Sequence, residues 1–403
     1  MGDTTTGQRE SALQTVCDRV DELADVLLET SRAIHANPEL AFKEYSAHDL
    51  LTGVMAGQGI DVVRSAYGLE TAFEGTAGAT GPVVAVLCEY DALPGIGHAC
   101  GHNIIATAGL GAGLAAAAVA EELGGRIRIL GTPAEEGGGG KVFMLERGAF
   151  DGVDAALMVH PADADLENIT SLAIQQAMVT YTGRAAHAAA APEKGLNALD
   201  AAVLGYVNVA ALRQHIAPDE RIHGIFTDGG EKANIVPVRA AANWYVRSPS
   251  RSRLEALKLR LAACLRAGAE AAGCEVEIRW IEPSYAEVLD NRVLLDRYTA
   301  NAALLGRTVL PVVEHQVVGS TDMGNVSYVV PSIHPMIKSA PAGTAIHTEA
   351  FAGFAASAEA DLAVLDGAKA MAMTVVDCWM DGSLLTTARE QFEDMLGVRA
   401  AST

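Results

Sequence analysis

Apolar residues along this chain keep two rhythms. From about Gln8 to Ile34 they recur at helical spacing, and Pro38 in "HANPEL" ends the run, so one long helix is expected there. Three short apolar runs follow, "PVVAVL" (82–87), "RIRIL" (126–130) and "VDAALMV" (153–159), each with the length and composition of a buried strand. Between the first two lies "IIATAGLGAGLAAAAVA" (104–120), too short and too rich in Ala and Gly for a membrane span and suited to a buried helix. Strand, helix and strand in that order build a parallel sheet.

From about Ser171 the pattern changes. "SLAIQQAMVTYTG" reads as a strand and "NALDAAVLGYVNVAALRQHI" as a helix. "RIHGIFTDG" and "VRAAANWYVRS" read as two further strands, "SRLEALKLRLAACLRAGAEAAG" as a second helix and "CEVEIRWIE" as a last strand. This βαββαβ order is that of a ferredoxin-like sandwich. Strand–helix alternation then resumes as far as a long final helix from about Thr348. The expected partition is an α/β domain formed by residues 1–170 and 285–403, with residues 171–284 inserted as a second domain.

Composition narrows the function. A chain of 403 residues exceeds one small core, and half of its residues are hydrophobic, as in a folded enzyme-sized protein. Lys and Arg number 29 against 50 Asp and Glu, a net charge of −21. Such a surface repels nucleic acid and anionic membranes, so neither is expected as a partner. The cysteines, Cys17, Cys88, Cys100, Cys264, Cys274 and Cys378, show no disulfide-framework spacing, and the opening "MGDTTTGQRE" is polar with no apolar run behind it. Reduced thiols in a cytoplasmic protein are expected.

In open α/β sheets, ligands bind beyond the carboxyl ends of the strands. The first predicted strand runs into "CEYDALPGIGHACGHN" (88–103), which carries Glu89, Asp91, His98, Cys100 and His102. The second runs into "GTPAEEGGGG", with Glu135 and Glu136, and the third into "MVHP", with His160. Singly, each has a plain structural explanation: a turn around Gly101, a surface acid pair, a hydrogen-bonded loop histidine. Delivered together to one edge of one sheet, thiolate, imidazole and carboxylate make a site for a divalent metal, Zn²⁺ first, with Mn²⁺ or Co²⁺ also suited. The helix after Asn103 directs its positive end at Cys100, which favours the thiolate. "GLGAGL" lies within that helix, not in a strand-to-helix turn, and is no dinucleotide fingerprint. The run Gly137–Gly140 lacks a following Lys-Ser/Thr pair, and no Gly-x-Ser-x-Gly elbow is present.

The motifs "YDALPGIGHACGHN", "GTPAEEGGGG", "MVHP", "GRAAHAAAAPEKGLNALDA", "ANIVPVRA", "GSTDMGNVS" and "GTAIHTEAF", in this order, resemble the metal-dependent amidohydrolases of metallopeptidase family 20. The resemblance is to the branch of hippurate, auxin-conjugate and aminobenzoyl-glutamate hydrolases and related dipeptidases. It implies a zinc-peptidase-like catalytic domain and an inserted lid domain through which two copies dimerise. It implies that Cys100, His102, Glu136, His160 and His347 hold one or two divalent ions and that Glu135 is the general base. His187 would stabilise the oxyanion, in many relatives from the other protomer, while Asn234 and Arg247 would hold the substrate carboxylate. The implied substrate is a small N-acyl amino acid or a dipeptide. Two positions depart from relatives: Glu89 where many carry His, and Asn103 where this branch often carries Asp, which points to an altered metal shell. Two rival readings stand beside this one. A non-catalytic metal- or partner-binding protein on the same scaffold should have lost at least one of these residues. A thiol hydrolase using Cys100 would need a base better placed than His102, two residues away.

Overall fold

The computed structural model describes residues 2–311 and 318–401. The chain folds as two compact units, one built from the residues before Ser171 and after Glu287, the other from Ser171–Glu287. The second boundary falls just past the expected residue 284 because the last strand of the inserted unit runs on to Tyr285.

The first unit is organised on a six-stranded sheet. Its strands are β1 (Asp61–Arg64), β2 (Phe73–Ala77), β3 (Val83–Cys88), β4 (Arg126–Gly131), β5 (Ala155–Leu157) and, from late in the chain, β13 (Ser332–Ile333). They lie in the order β1-β2-β4-β3-β5-β13. The neighbours β4, β3, β5 and β13 run parallel, whereas β1 and β2 extend the β4 edge antiparallel. The parallel part is the sheet expected from the apolar runs. The antiparallel pair is hard to see in the sequence because β1 is mostly exposed and offers little hydrophobic pattern. Two small pairings complete the unit: β6 (His160–Ala162) with β14 (Met336–Lys338), and β7 (Thr170–Ser171) with β12 (Val318–Gly319).

Both faces of the sheet are covered. Along β3, Val84, Val86 and Cys88 join a core that includes the Ala-rich helix His102–Ala117 and the long helix Ala358–Met380. Val83, Ala85 and Leu87 join a second core with Met144, Phe150 and Met323. A strand buried on both sides reads as a continuous apolar run, which is why β3 is legible. Two expected helices prove to be broken. The first divides into Gly2–Glu22 and Ala24–Ala36 around Leu23. The last comprises Glu349–Phe354, Ala358–Met380 and Gly382–Ala401, the first two begun by the Thr348 and Ser357 hydroxyls accepting backbone N–H groups.

The unit Ser171–Glu287 contains a four-stranded antiparallel sheet of β8 (Ala173–Thr182), β9 (Arg221–Asp228), β10 (Arg239–Ser248) and β11 (Glu275–Tyr285), in the order β11-β8-β10-β9. Burial alternates strictly along β8, and its inward residues form a separate core with Trp244 and the helix residues Leu254, Leu257, Leu261 and Leu265. Strand order and connections make it the ferredoxin-like βαββαβ sandwich.

Close packing of the Ala-rich helix on the sheet depends on glycine. A Cβ on Gly109 would stand 2.4 Å from the Leu87 carbonyl oxygen and 2.9 Å from Cys88 Sγ. Gly109→Ala is therefore expected to destabilise the protein by about 1–3 kcal/mol. Gly53, on an exposed helix position with nothing within 4 Å of its would-be Cβ, should gain about 0.5–1 kcal/mol on the same change. Opposite shifts of the urea-unfolding midpoint for the two variants check this.

Candidate metal centre and active site

The carboxyl ends of β3, β4 and β5 lie side by side and carry the polar loops with them. Beyond β3 come Glu89 and Asp91, then the loop that reaches Cys100 and His102. Beyond β4 comes the turn holding Glu135 and Glu136, and beyond β5 comes His160. Gly101 sits between the cysteine and histidine in the left-handed region at φ 79°, where a Cβ would also strike Pro161 at 2.6 Å. Only glycine supports this turn at low cost.

These side chains converge. Cys100 Sγ lies 3.4 Å from His160 Nε2, and His347 Nε2 lies 3.4 Å from Glu136 Oε1. His102 Nε2 faces three carboxylates: Glu89 at 3.6 Å, Glu136 at 3.8 Å and Glu135 at 3.9 Å. Three overlapping groups have ligand atoms within 4.8 Å of one another: Cys100, His102 and His160; Cys100, Glu136 and His347; Glu89, His102 and Glu135. Cys100 belongs to the first two.

The donor set fits a divalent cation. Each inner histidine commits Nδ1 elsewhere: His102 Nδ1–H donates to Asp91 at 3.1 Å, and His160 Nδ1–H donates to the Pro161 carbonyl at 2.8 Å. That fixes the rings and leaves both Nε2 atoms directed into the cluster, the usual support of a metal-binding imidazole. His102 Nε2 and Glu89 Oε2 are buried without a hydrogen-bond partner. Buried polar atoms left in that state are costly, and a cation among them removes the cost.

Electrostatics separates the two adjacent acids. Burial, followed by the Glu89 and Glu136 carboxylates, pushes Glu135 well above the ordinary carboxylate range. Burial acts on Glu136 as well, but hydrogen bonding to His347 and the charge of His102 hold it below that range. Burial works against protonation of His102, yet Cys100 and Asp91 raise its pKa well above the imidazole norm. Burial and His102 push His160 down to about 4, so it is neutral and able to coordinate at physiological pH. At Cys100, burial and Glu136 raise the thiol well above its ordinary value, while His102 acts in the opposite direction. All six cysteines are free.

Supporting residues escape a reading of the sequence alone. The fully buried Glu44 accepts from Thr71 and from the N–H groups of Phe42 and Ala134, the last in the left-handed region at φ 62° just before Glu135. Burial pushes Glu44 up to about 7. Lys141, fully buried, pairs with Glu89 and with Asp322. The one available signal is a lysine closing a glycine run ahead of an apolar segment. Asp91 also accepts the Glu136 N–H at 2.9 Å, tying the loop after β3 to the turn after β4. Asn103 is a tether: its amide donates to Ser31 Oγ and to the Ala355 carbonyl.

His187, Asn234 and Arg247 belong to the inserted unit. His187 and Asn234 are neighbours there, with the Ala188 N–H donating to the Asn234 carbonyl. His187 Nδ1 accepts from the N–H groups of Ala189 and Ala190, which places its proton on Nε2. Arg247 is half-buried on β10, and burial lowers its pKa. Among the described residues, no helix is long and apolar enough to cross a membrane.

Comparison with known proteins agrees with this geometry. Residues 85–370 match the profile of peptidase family M20/M25/M40. The Xaa-Arg dipeptidase of Mus musculus is 41% identical over 410 residues, covering 97% of this chain and 94% of that protein. A chain of the p-aminobenzoyl-glutamate hydrolase of Escherichia coli is 28% identical, covering 96% of this chain and 94% of that protein. Among solved structures, a dinuclear metal-binding peptidase of Bacillus subtilis superposes with a TM-score of 0.69 at 19% identity, covering 89% of this chain and 99% of that one. An aminobenzoyl-glutamate utilization protein of Klebsiella pneumoniae gives 0.70 at 19%, covering 89% and 97%. At that identity the two structures speak for the fold. Sequence match, fold and donor set agree that this chain belongs to peptidase family M20/M25/M40 and is a metal-dependent hydrolase of amide bonds.

Proposed function

We propose that the protein is a dipeptidase or N-acyl amino acid hydrolase in which Cys100, His102, Glu136, His160 and His347 hold the metal and Glu135 is the general base. The observation that carries this reading is the meeting of all six side chains beyond the ends of three parallel strands. When bound, a divalent cation acts as a Lewis acid and brings the pKa of water from 15.7 to roughly 7, about 11 kcal/mol of help at neutral pH. Zn²⁺ is the first choice, with Mn²⁺ and Co²⁺ also suited to mixed S, N and O donors.

Glu135 suits proton transfer because its surroundings strengthen its hold on a proton. It accepts the proton of the attacking water and passes it to the leaving amine. Glu136, held ionised beside His347 and His102, suits the ligand role. His187, from the inserted unit, presents Nε2–H as a donor to the oxyanion, and Asn234 and Arg247 receive the substrate carboxylate. Burial and the raised pKa of Cys100 speak against the thiol mechanism. The Xaa-Arg dipeptidase relatives make dipeptides with a basic carboxyl-terminal residue the first substrates to assay, followed by N-acyl amino acids and aminobenzoyl-glutamate.

Homodimerisation through the inserted unit is part of this reading. Strand β9 is an open sheet edge carrying exposed Ile225 and Phe226, and Val203 and Val207 are exposed on the helix Ala198–Leu212. An apolar edge of this kind is suited to cover by a second copy.

Three outcomes are expected. Glu135→Gln should keep its metal content and lose about 10²–10⁴-fold in kcat, whereas Glu136→Gln should lose metal; steady-state kinetics with elemental analysis separates the roles. Arg247→Ala should raise KM about tenfold or more for free-carboxylate substrates and little for their amides, since a charge-assisted hydrogen bond contributes about 1.5–3 kcal/mol. Val207→Glu combined with Ile225→Lys should convert a dimer to a monomer in light scattering, and a wild-type monomer would remove that part of the reading.

A further inference from the structure

Glu89 stands outside the ligand set just assigned, yet it is wholly buried at the centre of the site. Its two oxygens have different surroundings. Oε1 accepts from the Lys141 ammonium, which Asp322 holds through Oδ1 at 2.7 Å while Asp322 Oδ2 accepts the Lys141 backbone N–H at 3.0 Å. Oε2 has no hydrogen-bond partner and lies 3.6 Å from His102 Nε2, itself unpartnered. With its Nδ1–H given to Asp91, a neutral His102 presents Nε2 as an acceptor, so two buried acceptors then face each other. A second proton on His102 or a cation in the space relieves that repulsion, and the surrounding thiol, imidazole and carboxylate donors suit the cation. Charge points the same way, because one ammonium stands against two carboxylates and leaves negative charge directed at His102.

We propose that Glu89 is a further metal-binding residue, giving Oε2 to the ion that His102 holds, with Lys141 and Asp322 as its positioning residues. The grouping of Glu89, His102 and Glu135, with ligand atoms within 4.8 Å, sets this oxygen within a coordination sphere of His102. Lys141 clamps Oε1 and so orients Oε2. Glu89 then completes the donor set beside His102 without recruiting Glu135, which keeps its role as base. The inference rests on the reading of the site as a metal centre and adds a donor to it.

The test uses the full-length protein stripped of metal and titrated with Co²⁺ alone against a competing chelator, reading both affinity and the visible cobalt absorption. Glu89→Gln leaves Lys141 and Asp322 as a balanced pair, so the variant is expected to fold, which circular dichroism of the metal-free form checks. It should weaken at least one Co²⁺ binding step by about tenfold or more and change the absorption band of the remaining ion. Glu89→Asp, which keeps the charge but withdraws the oxygens by one methylene, should also weaken binding and serves alone if Glu89→Gln does not fold. Cobalt affinity and spectrum equal to wild type in a folded Glu89 variant would overturn the inference while leaving the metal centre standing. Failure of the wild type itself to take up Co²⁺ would overturn both.

Discussion

Buried negative charge is the constraint on which the rest of this molecule depends. Glu89, Asp91, Glu135 and Asp322 are buried within one small region, Glu136 is nearly so, and Lys141 is the built-in ammonium among them. Carboxylates in such a place are tolerated only when every oxygen has a partner. Backbone N–H groups supply some, as at Asp91 and Asp322, and imidazoles supply others. The remaining lone pairs face a common space, where a divalent cation is the natural partner. The parallel strands, the left-handed turns at Gly101 and Ala134 and the glycine-lined helix contact all serve to keep these atoms a few ångströms apart.

The same constraint gives two adjacent glutamates different chemistry. Glu135 and Glu136 share a turn and nearly the same depth, and no propensity or spacing distinguishes them. Glu135 faces other carboxylates and binds its proton more tightly, whereas Glu136 faces His347 and His102 and gives its proton up. The proposed base and the proposed ligand thus differ through neighbours contributed by other strands, although they share one dipeptide.

The inserted unit obeys a different logic. It has its own apolar core under an antiparallel sheet and carries the proposed recognition residues on exposed or half-buried positions. His187 and Asn234 are held by local backbone bonds, so their presentation is decided within the unit. Ile225 and Phe226 on its edge strand and Val203 and Val207 on its first helix are exposed, and these are the positions the proposed dimer would cover.

Much of this is legible in the amino-acid order. Runs buried on both faces read as strands, the Ala- and Gly-rich segment reads as a helix, and parallel topology then sends Cys100, His102, Glu135, Glu136 and His160 to one edge. Those inferences need only local pattern and the rule that parallel strands end on the same side. Lys141 cannot be paired with Glu89 or Asp322 in this way, because the partners are 52 and 181 residues away and only packing chooses them. The surroundings of Cys100 are decided in the same way: a helix end is visible in sequence, whereas burial and a carboxylate from another strand are not. Sequence by itself determined which elements form and which donors they carry, since those depend on neighbours along the chain. Tertiary structure alone decided which charges face each other, since desolvation and Coulomb energies depend on distances through space.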